Sequence, residues 1–187
     1  MKGVGGMPEP RWLDAEEQQV WLAFASTMVR LTGALDGQLR RDAGLSHYEY
    51  LVLAGLSMAR DRTLRMSDLA EFTEGTLPRL SNVVSRLERR GWVRRTPDPA
   101  DGRYTLAILT DDGWTKIIAS APGHAEEVRR LFFDPLTSAQ QRQLREICRR
   151  ILRAIDPSHC NLDDRVRALQ AAASRQGPPC SANPASA

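Results

Sequence analysis

Cysteine, histidine and lysine are all scarce in this chain of 187 residues. The three cysteines, Cys148, Cys160 and Cys180, are odd in number and widely spaced, so they do not form a disulfide framework and they fit a reducing compartment. No apolar run reaches the roughly 18 residues of a membrane span. The N-terminal stretch "MKGVGGMPEP" also lacks the apolar core of a signal peptide. These absences predict a cytoplasmic protein with no membrane partner.

The three histidines, His47, His124 and His159, lie on separate predicted elements. The sequence has neither a Ser-His-Asp arrangement nor a glycine-rich phosphate loop, so we do not expect an enzyme. Cys160 follows His159 directly, with two aspartates close behind, but this spacing matches no structural zinc pattern. We therefore predict no metal and no cofactor.

Lysine is almost absent: Lys2 and Lys116 are the two lysines among 26 basic residues. Arginine makes bidentate contacts to phosphate and carboxylate, although a GC-rich genome explains the same bias equally well. The distribution of charge says more than the net charge of +3. Between residues 76 and 103, seven arginines face three acids, a local excess of +4. A basic excess confined to one segment indicates contact with nucleic acid.

Helical periodicity and capping residues predict six helices, which begin at about residues 14, 46, 67, 77, 110 and 137. Asp14 with Glu17, and Thr137 with Gln140, have the spacing of capping boxes. The first helix is expected to run about 30 residues to Gly44, longer than a small lone domain covers, so it needs other helices or a second subunit against it.

Prolines and glycines set the expected ends of the later helices. Gly91 should end the fourth helix, because glycine tolerates the left-handed conformation found there. Pro122 should interrupt the fifth helix at residues 121–123, before that helix resumes and ends at Pro135. Pro157 should stop the sixth, and a short amphipathic helix over residues 158–175 is expected before a disordered tail. The "RDRTLR" stretch before Ser67, the expected cap of the third helix, should be a polar connection.

One face of the fourth helix carries no acid. Its apolar face is formed by Leu77, Leu80, Val83, Val84 and Leu87, and the opposite face by Pro78, Arg79, Asn82, Ser85, Arg86 and Arg89. Arg, Asn and Ser are the side chains that hydrogen-bond base edges and phosphates. On its own the pattern fits a solvated surface equally well.

The order of elements favours the DNA-binding interpretation. The third helix, a tight turn at Gly75 and the fourth helix form a helix-turn-helix. Two predicted strands, "WVRRTP" and "RYTLAIL", follow directly and enclose a turn that holds Arg103. A hairpin beside a recognition helix meets the DNA backbone or the minor groove, where arginine is favoured by the concentrated negative potential. This hairpin is therefore predicted to be a wing.

The chain resembles the MarR family of winged helix-turn-helix transcriptional regulators. The resemblance covers about residues 13–155 and rests on five stretches: "LSHYEYLVLAGL", "MSDLAEFT", "LSNVVSRLERRGWVRR", "DPADGRYTLAILTDDG" and "FDPLTSAQQRQLREICRRIL". It implies a mainly α fold with a small β-hairpin. Residues 46–109 would form the winged helix-turn-helix, residues 13–45 and 110–156 the dimerisation helices, residues 1–12 a flexible N-terminus, and residues 157–187 a partly disordered tail.

The resemblance also implies a function: a homodimeric repressor that binds double-stranded DNA at a pseudo-palindromic operator. The residues implied in DNA contact are Thr76, Arg79, Ser81, Asn82, Ser85, Arg86, Arg94, Arg95, Asp101 and Arg103. Among them Asp101 is expected to pair with an arginine and hold the wing rigid. Pro78 departs from the family pattern, because a polar residue is common there and proline offers DNA only apolar surface.

Many such regulators release DNA when a small, often aromatic acid binds. The residues that could line such a pocket are Trp21, His47, Tyr48 and Tyr50, although their types fit a core or a dimer interface better. The cysteine that peroxide-sensing members carry near the start of helix one is absent, and Cys148 is expected in packed core. The alternative function is an interaction protein or anti-regulator that keeps the fold without binding DNA.

Overall fold

The computed structural model describes residues 10–156, and six α-helices account for most of them. Their bounds are α1 Ala15–Ala43, α2 His47–Met58, α3 Met66–Phe72, α4 Leu77–Arg89, α5 Asp111–Val128 and α6 Ser138–Ile155. A π-helical turn, Arg129–Phe133, follows α5. The capping box at Thr137 is confirmed, and the predicted pair at Asp14 forms both of its hydrogen bonds with Glu17. Gly91 follows α4 with φ +74°, which is the left-handed conformation predicted for it.

Three short antiparallel strands form one sheet in the order β1–β3–β2. The predicted hairpin is β2, Val93–Pro97, and β3, Thr105–Leu109, with Val93 opposite Leu109. The third strand, β1 at Thr63–Arg65, pairs with β3 and lies inside the stretch that was expected to be a polar connection. That prediction was wrong, because a three-residue strand is stabilised by its partner and not by a pattern of its own.

Two further predictions about helices were wrong. The structure shows α5 continuous through Pro122. Pro122 and Ile118 are both exposed, so the Ile118 carbonyl that proline leaves without a donor lies on the solvent side of the helix, where the loss of this bond is tolerated. Ser67 does not cap α3, because that helix starts directly after β1 at Met66 and the Ser67 hydroxyl bonds Asp68 instead.

The chain divides between Ala34 and Leu35 into two compact units. In the first, the N-terminal part of α1 leaves large apolar side chains exposed, among them Val20, Trp21, Leu22 and Val29. In the second, the core is formed mainly by α2, α3, α4 and the sheet, and its fully buried side chains include Leu45, Leu53, Leu56, Leu69, Leu80 and Leu87. This core holds α4 in place, so the outer face of α4 is fixed by the packing of its inner face.

Cys148 on α6 is half-buried and free. It lines a groove with Phe132 and Phe133, whose rings meet edge to face 5.1 Å apart. Cys148 was expected in packed core, and within one chain it is only half-buried, because α6 as a whole buries none of its residues.

Candidate DNA-binding surface

The recognition helix α4 begins at a capped end and packs on four buried side chains. Thr76 is the N-cap, and its hydroxyl accepts the backbone N–H of Arg79 at 3.4 Å, while Pro78 occupies the first turn, where its missing N–H costs nothing. Leu80, Val83, Val84 and Leu87 are buried. The opposite side leaves Arg79, Asn82 and Arg86 exposed. The predicted polar face therefore points outward, with Ser85 half-buried at its side, whereas Leu77, predicted on the apolar face, is 52% exposed.

A tyrosine fills the corner between α3 and α4. The Tyr48 hydroxyl lies 2.9 Å from the Thr73 hydroxyl, which in turn donates to the Leu69 carbonyl. Gly75 approaches so closely that a Cβ there would meet the Tyr48 hydroxyl oxygen at 1.9 Å. Only glycine fits beside this ring, which gives the tight turn predicted at Gly75 its physical reason.

The same ring supports a predicted DNA contact. The guanidinium of Arg79 lies over the Tyr48 ring, 4.2 Å from its centroid, in cation–π geometry. Tyr48 was predicted as a possible ligand-pocket residue, and the structure places it instead at the helix-turn-helix corner, beneath the outer face of α4.

A buried carboxylate holds the second arginine of this face. Glu49 is 5% exposed, and its Oε1 accepts Nε of Arg86 at 3.2 Å. Its Oε2 accepts the Ser46 N–H at 2.9 Å and completes the capping box of α2. Burial alone raises the pKa of Glu49, but the hydrogen bonds from Ser46 and Arg86 outweigh it, so the pKa lies below its ordinary value. The carboxylate is therefore ionised opposite Arg86 at neutral pH.

The wing turn is organised by two aspartates. Arg103 and Asp101 form an ion pair at 2.6 Å, which agrees with the pairing expected of the wing aspartate, and hydrogen bonds from Arg103 lower the pKa of Asp101. Asp98 was not singled out from the sequence. It is 3% exposed, accepts the Ala100 N–H and pairs with Arg65 of β1 at 2.7 Å, so it joins the wing to the edge strand.

Arg95 links the wing to α4. Its guanidinium bonds Glu88 at 2.6 Å and lies within hydrogen-bond distance of the Ser81 and Ser85 hydroxyls, at 3.4 and 3.0 Å. Arg94, the neighbouring predicted phosphate contact, is exposed on β2. The structure thus brings all ten predicted DNA-contact residues onto α4, its cap and the wing, with Arg95 engaged by side chains of α4.

Of the predicted ligand residues in the second unit, Tyr48 lies apart from His47 and Tyr50. His47 and Tyr50 lie beside His124 of α5, with ring centroids 5.9 Å and 4.3 Å from its imidazole, and Gln38 lies 3.3 Å from the His124 Nδ1. Burial lowers the pKa of both histidines. Trp21 belongs to the first unit, where it is 54% exposed near Phe24. His124 had no sequence signal beyond its residue type.

Within residues 10–156, no three His, Cys, Asp or Glu side chains lie close enough together to hold a metal ion. His159 and Cys160 lie outside that range, as do Cys180 and the helix expected over residues 158–175. In the part of the chain that the structure covers, no helix is both long and apolar enough to cross a bilayer.

Comparison with known proteins agrees with this geometry. The sequence model of the MarR family matches residues 43–103. Sco3205 of Streptomyces coelicolor, a MarR family transcriptional regulator solved in complex with DNA, is 46% identical, with a TM-score of 0.78 over 83% of this chain and 98% of that one. AbsC, a MarR family transcriptional regulator from the same organism, is 32% identical, with a TM-score of 0.76 over 80% of this chain and 100% of that chain.

A curated relative, the HTH-type transcriptional regulator YdcH of Bacillus subtilis (strain 168), is 29% identical over 99 residues, which cover 52% of this chain and 67% of that protein. Three findings agree: α4 is capped and exposes its arginines, a wing adjoins it, and the match to Sco3205 covers most of both chains. The chain belongs to the MarR family and is a DNA-binding transcriptional regulator, not an enzyme.

Proposed function

We propose that the protein is a homodimeric repressor, that it binds a pseudo-palindromic operator through α4 and the wing, and that a small aromatic ligand releases it. The observation that carries the proposal is the acid-free exposed face of α4 beside the arginine of the wing. Arg79, Asn82 and Arg86 would read bases in the major groove, because Arg suits guanine and Asn suits adenine. Because its partner is chromosomal DNA, we also infer a cytoplasmic location.

The remaining residues would contact the backbone or the minor groove. Thr76, Ser81 and Ser85 flank the outer face of α4, and Arg94 lies on β2 beside it. The side chain of Arg103 is 83% exposed. Ion pairs this exposed contribute little to stability, so Arg103 can exchange Asp101 for DNA at little cost.

The wing is tested by Arg103→Ala. Operator DNA, recovered by sequencing genomic fragments bound to the protein, should bind the variant more weakly in gel shifts. The slope of log affinity against log salt should fall by about one if a phosphate contact is lost. Arg130→Ala is the matched control, since Arg130 is also exposed and paired with a nearby acid, Glu127. Unchanged affinity of Arg103→Ala would refute the role of the wing.

The homodimer is proposed because α6 exposes large apolar side chains. No residue of α6 is buried, and Ile147, Leu152 and Ile155 are 52%, 54% and 74% exposed. A two-fold partner would cover such a surface and would place two α4 helices about 34–36 Å apart, one turn of DNA. Sedimentation equilibrium should give twice the 20.9 kDa chain mass. Leu152→Asp should shift the equilibrium toward monomer, and a monomeric wild type would refute this part.

The ligand is proposed for the cluster of His47, Tyr50 and His124. Two half-buried imidazoles and a phenol ring offer stacking and hydrogen bonds to an aromatic acid. Benzoate and its hydroxylated derivatives are suitable calorimetric probes. Binding that is lost in Tyr50→Ala and weakened by operator DNA would support release by a ligand, since coupling between two sites is reciprocal. Binding with no effect on DNA affinity would contradict it.

A further inference from the structure

The first turn of α2 contacts two of the three arginines on the outer face of α4. Tyr48 stacks under Arg79, and Glu49 pairs with Arg86. The two arginines are seven residues apart, about two helical turns, so they lie on the same side of α4. Two consecutive residues of one helix thus contact two exposed arginines of α4.

Each support is itself held in place. The Tyr48 ring is fixed by the bond to Thr73 and by the Gly75 backbone against its hydroxyl. Glu49 uses both of its oxygens, one for Arg86 and one for the Ser46 N–H. Neither support can turn away without breaking the helix-turn-helix corner or the cap of α2.

The contacts leave the arginines able to bind a base. The guanidinium of Arg79 lies 4.2 Å from the centroid of the Tyr48 ring, and Arg79 is nevertheless exposed, so its N–H donors remain accessible from the outer side of α4. Glu49 binds Nε of Arg86, so the two terminal nitrogens of that guanidinium are outside the bond. Terminal nitrogens make the bidentate contact to guanine.

We propose that Tyr48 and Glu49 are positioning residues that set the sequence preference of DNA binding by fixing the side chains of Arg79 and Arg86 before DNA arrives. The inference rests on the proposed role of these two arginines in the major groove. Ordering a long side chain opposes binding, and a side chain that is already ordered avoids that loss. Non-specific binding to phosphates tolerates mobile arginines, so preference should suffer more than affinity for arbitrary DNA.

Glu49→Gln is the first test variant. Glutamine has one carbonyl oxygen where glutamate has two, and it still suits the capping box. The variant should therefore keep the cap of α2 and lose the bond to Arg86. Tyr48→Leu removes the ring under Arg79, and Tyr48→Phe is its matched control, because phenylalanine keeps the ring and loses only the bond to Thr73.

The probes are the duplex that wild-type protein enriches from a randomised pool and a scrambled duplex of the same composition. The ratio of the two dissociation constants should fall about five- to tenfold for Glu49→Gln and for Tyr48→Leu. Affinity for the scrambled duplex should stay close to wild type in both variants, which a merely structural role would not allow. The melting temperature should stay close to wild type for Glu49→Gln, and it should fall for Tyr48→Leu, which also empties the corner between α3 and α4. Tyr48→Phe should retain most of the preference.

A double variant makes the assignment specific. In an Arg86→Gln background, Glu49→Gln should lower the preference no further, because its partner is already gone. A full additional loss there, or an unchanged preference of both Glu49→Gln and Tyr48→Leu for the enriched duplex, would overturn the inference alone. A wild-type protein that enriches no sequence would overturn the proposed function and this inference together.

Discussion

Gly113→Ala should destabilise the protein, although alanine is the better helix former. Gly113 is the third residue of α5, where its N–H donates to the Thr110 hydroxyl at 3.0 Å. A Cβ at this position would lie 2.1 Å from the backbone carbonyl oxygen of Trp92 and 2.7 Å from a Leu109 methyl. The Trp92 carbonyl also accepts the Thr110 N–H, so it cannot move without disturbing the junction of β2, β3 and α5.

The expected magnitude follows from two opposing effects. Replacing glycine by alanine inside a helix contributes about 1 kcal/mol of stability. Overpacking costs about 1–3 kcal/mol, and a clash with backbone belongs at the upper end of that range. The net loss should be about 2 kcal/mol, or about 4–8 °C in melting temperature for a protein of this size.

Gly123→Ala is the matched control on the same helix. Its Cβ would meet the Gln38 amide at 3.6 Å, which is ordinary contact, so this variant should gain up to about 1 kcal/mol. Urea unfolding of the three proteins at one protein concentration gives the comparison, because the stability of a dimer depends on concentration. If Gly113→Ala and Gly123→Ala are equally stable, the close approach of the Trp92 carbonyl is not the reason why position 113 is a glycine.

Two further predictions concern caps and carboxylates. Thr110→Ala should destabilise the protein more than Thr76→Ala in the same urea assay. The reason is that Thr110 both caps α5 and donates to the Gly91 carbonyl at 2.7 Å, whereas the bond of Thr76 to Arg79 is long at 3.4 Å. The reverse order of stability would contradict this prediction. Hydrogen bonds from Ala100 and Arg65 hold the pKa of Asp98 below its ordinary value of 3.8. The stability that Asp98 contributes to the fold is therefore present above that value, and it is lost as the pH falls through the lower pKa of the folded state. Urea unfolding between about pH 5 and 2 should therefore show a weaker pH dependence for Asp98→Asn than for wild type, and an unchanged dependence would count against the buried pair.

Much of the fold was predictable because its signals are local. The caps at Ser46 and Thr137, the end of α4 at Gly91 and the two faces of α4 depend on residues a few positions apart. The hairpin was predictable for the same reason. The order of helix, turn, helix and wing then made the family recognisable without any contact being known.

The errors came from interactions between distant segments. Strand β1 exists because it pairs with β3, some forty residues further on, and its presence also moved the start of α3 away from Ser67. The continuity of α5 depends on which side of the helix Pro122 faces. Periodicity alone does not tell how a helix is rotated against its neighbours, so neither outcome was visible in the sequence.

The surface was predicted better than its supports. Arginines on an acid-free face are visible in a helical pattern, but the residues beneath them are not. Glu49 was not singled out from the sequence, and the structure shows it both in the capping box of α2 and opposite Arg86. Tyr48 was grouped with aromatic residues by type, while the structure separates it from His47 and Tyr50 by direction.

The buried Glu49 also limits how the recognition helix could be exchanged in protein engineering. A helix α4 grafted from another regulator with an apolar residue in place of Arg86 would leave a carboxylate that is 5% exposed without its cation. Removing one partner of such a pair is costly, about 3–5 kcal/mol where the pair is fully buried and less here, because Arg86 is partly exposed. The transferable unit is therefore α4 together with the first turn of α2, two segments almost thirty residues apart in the chain.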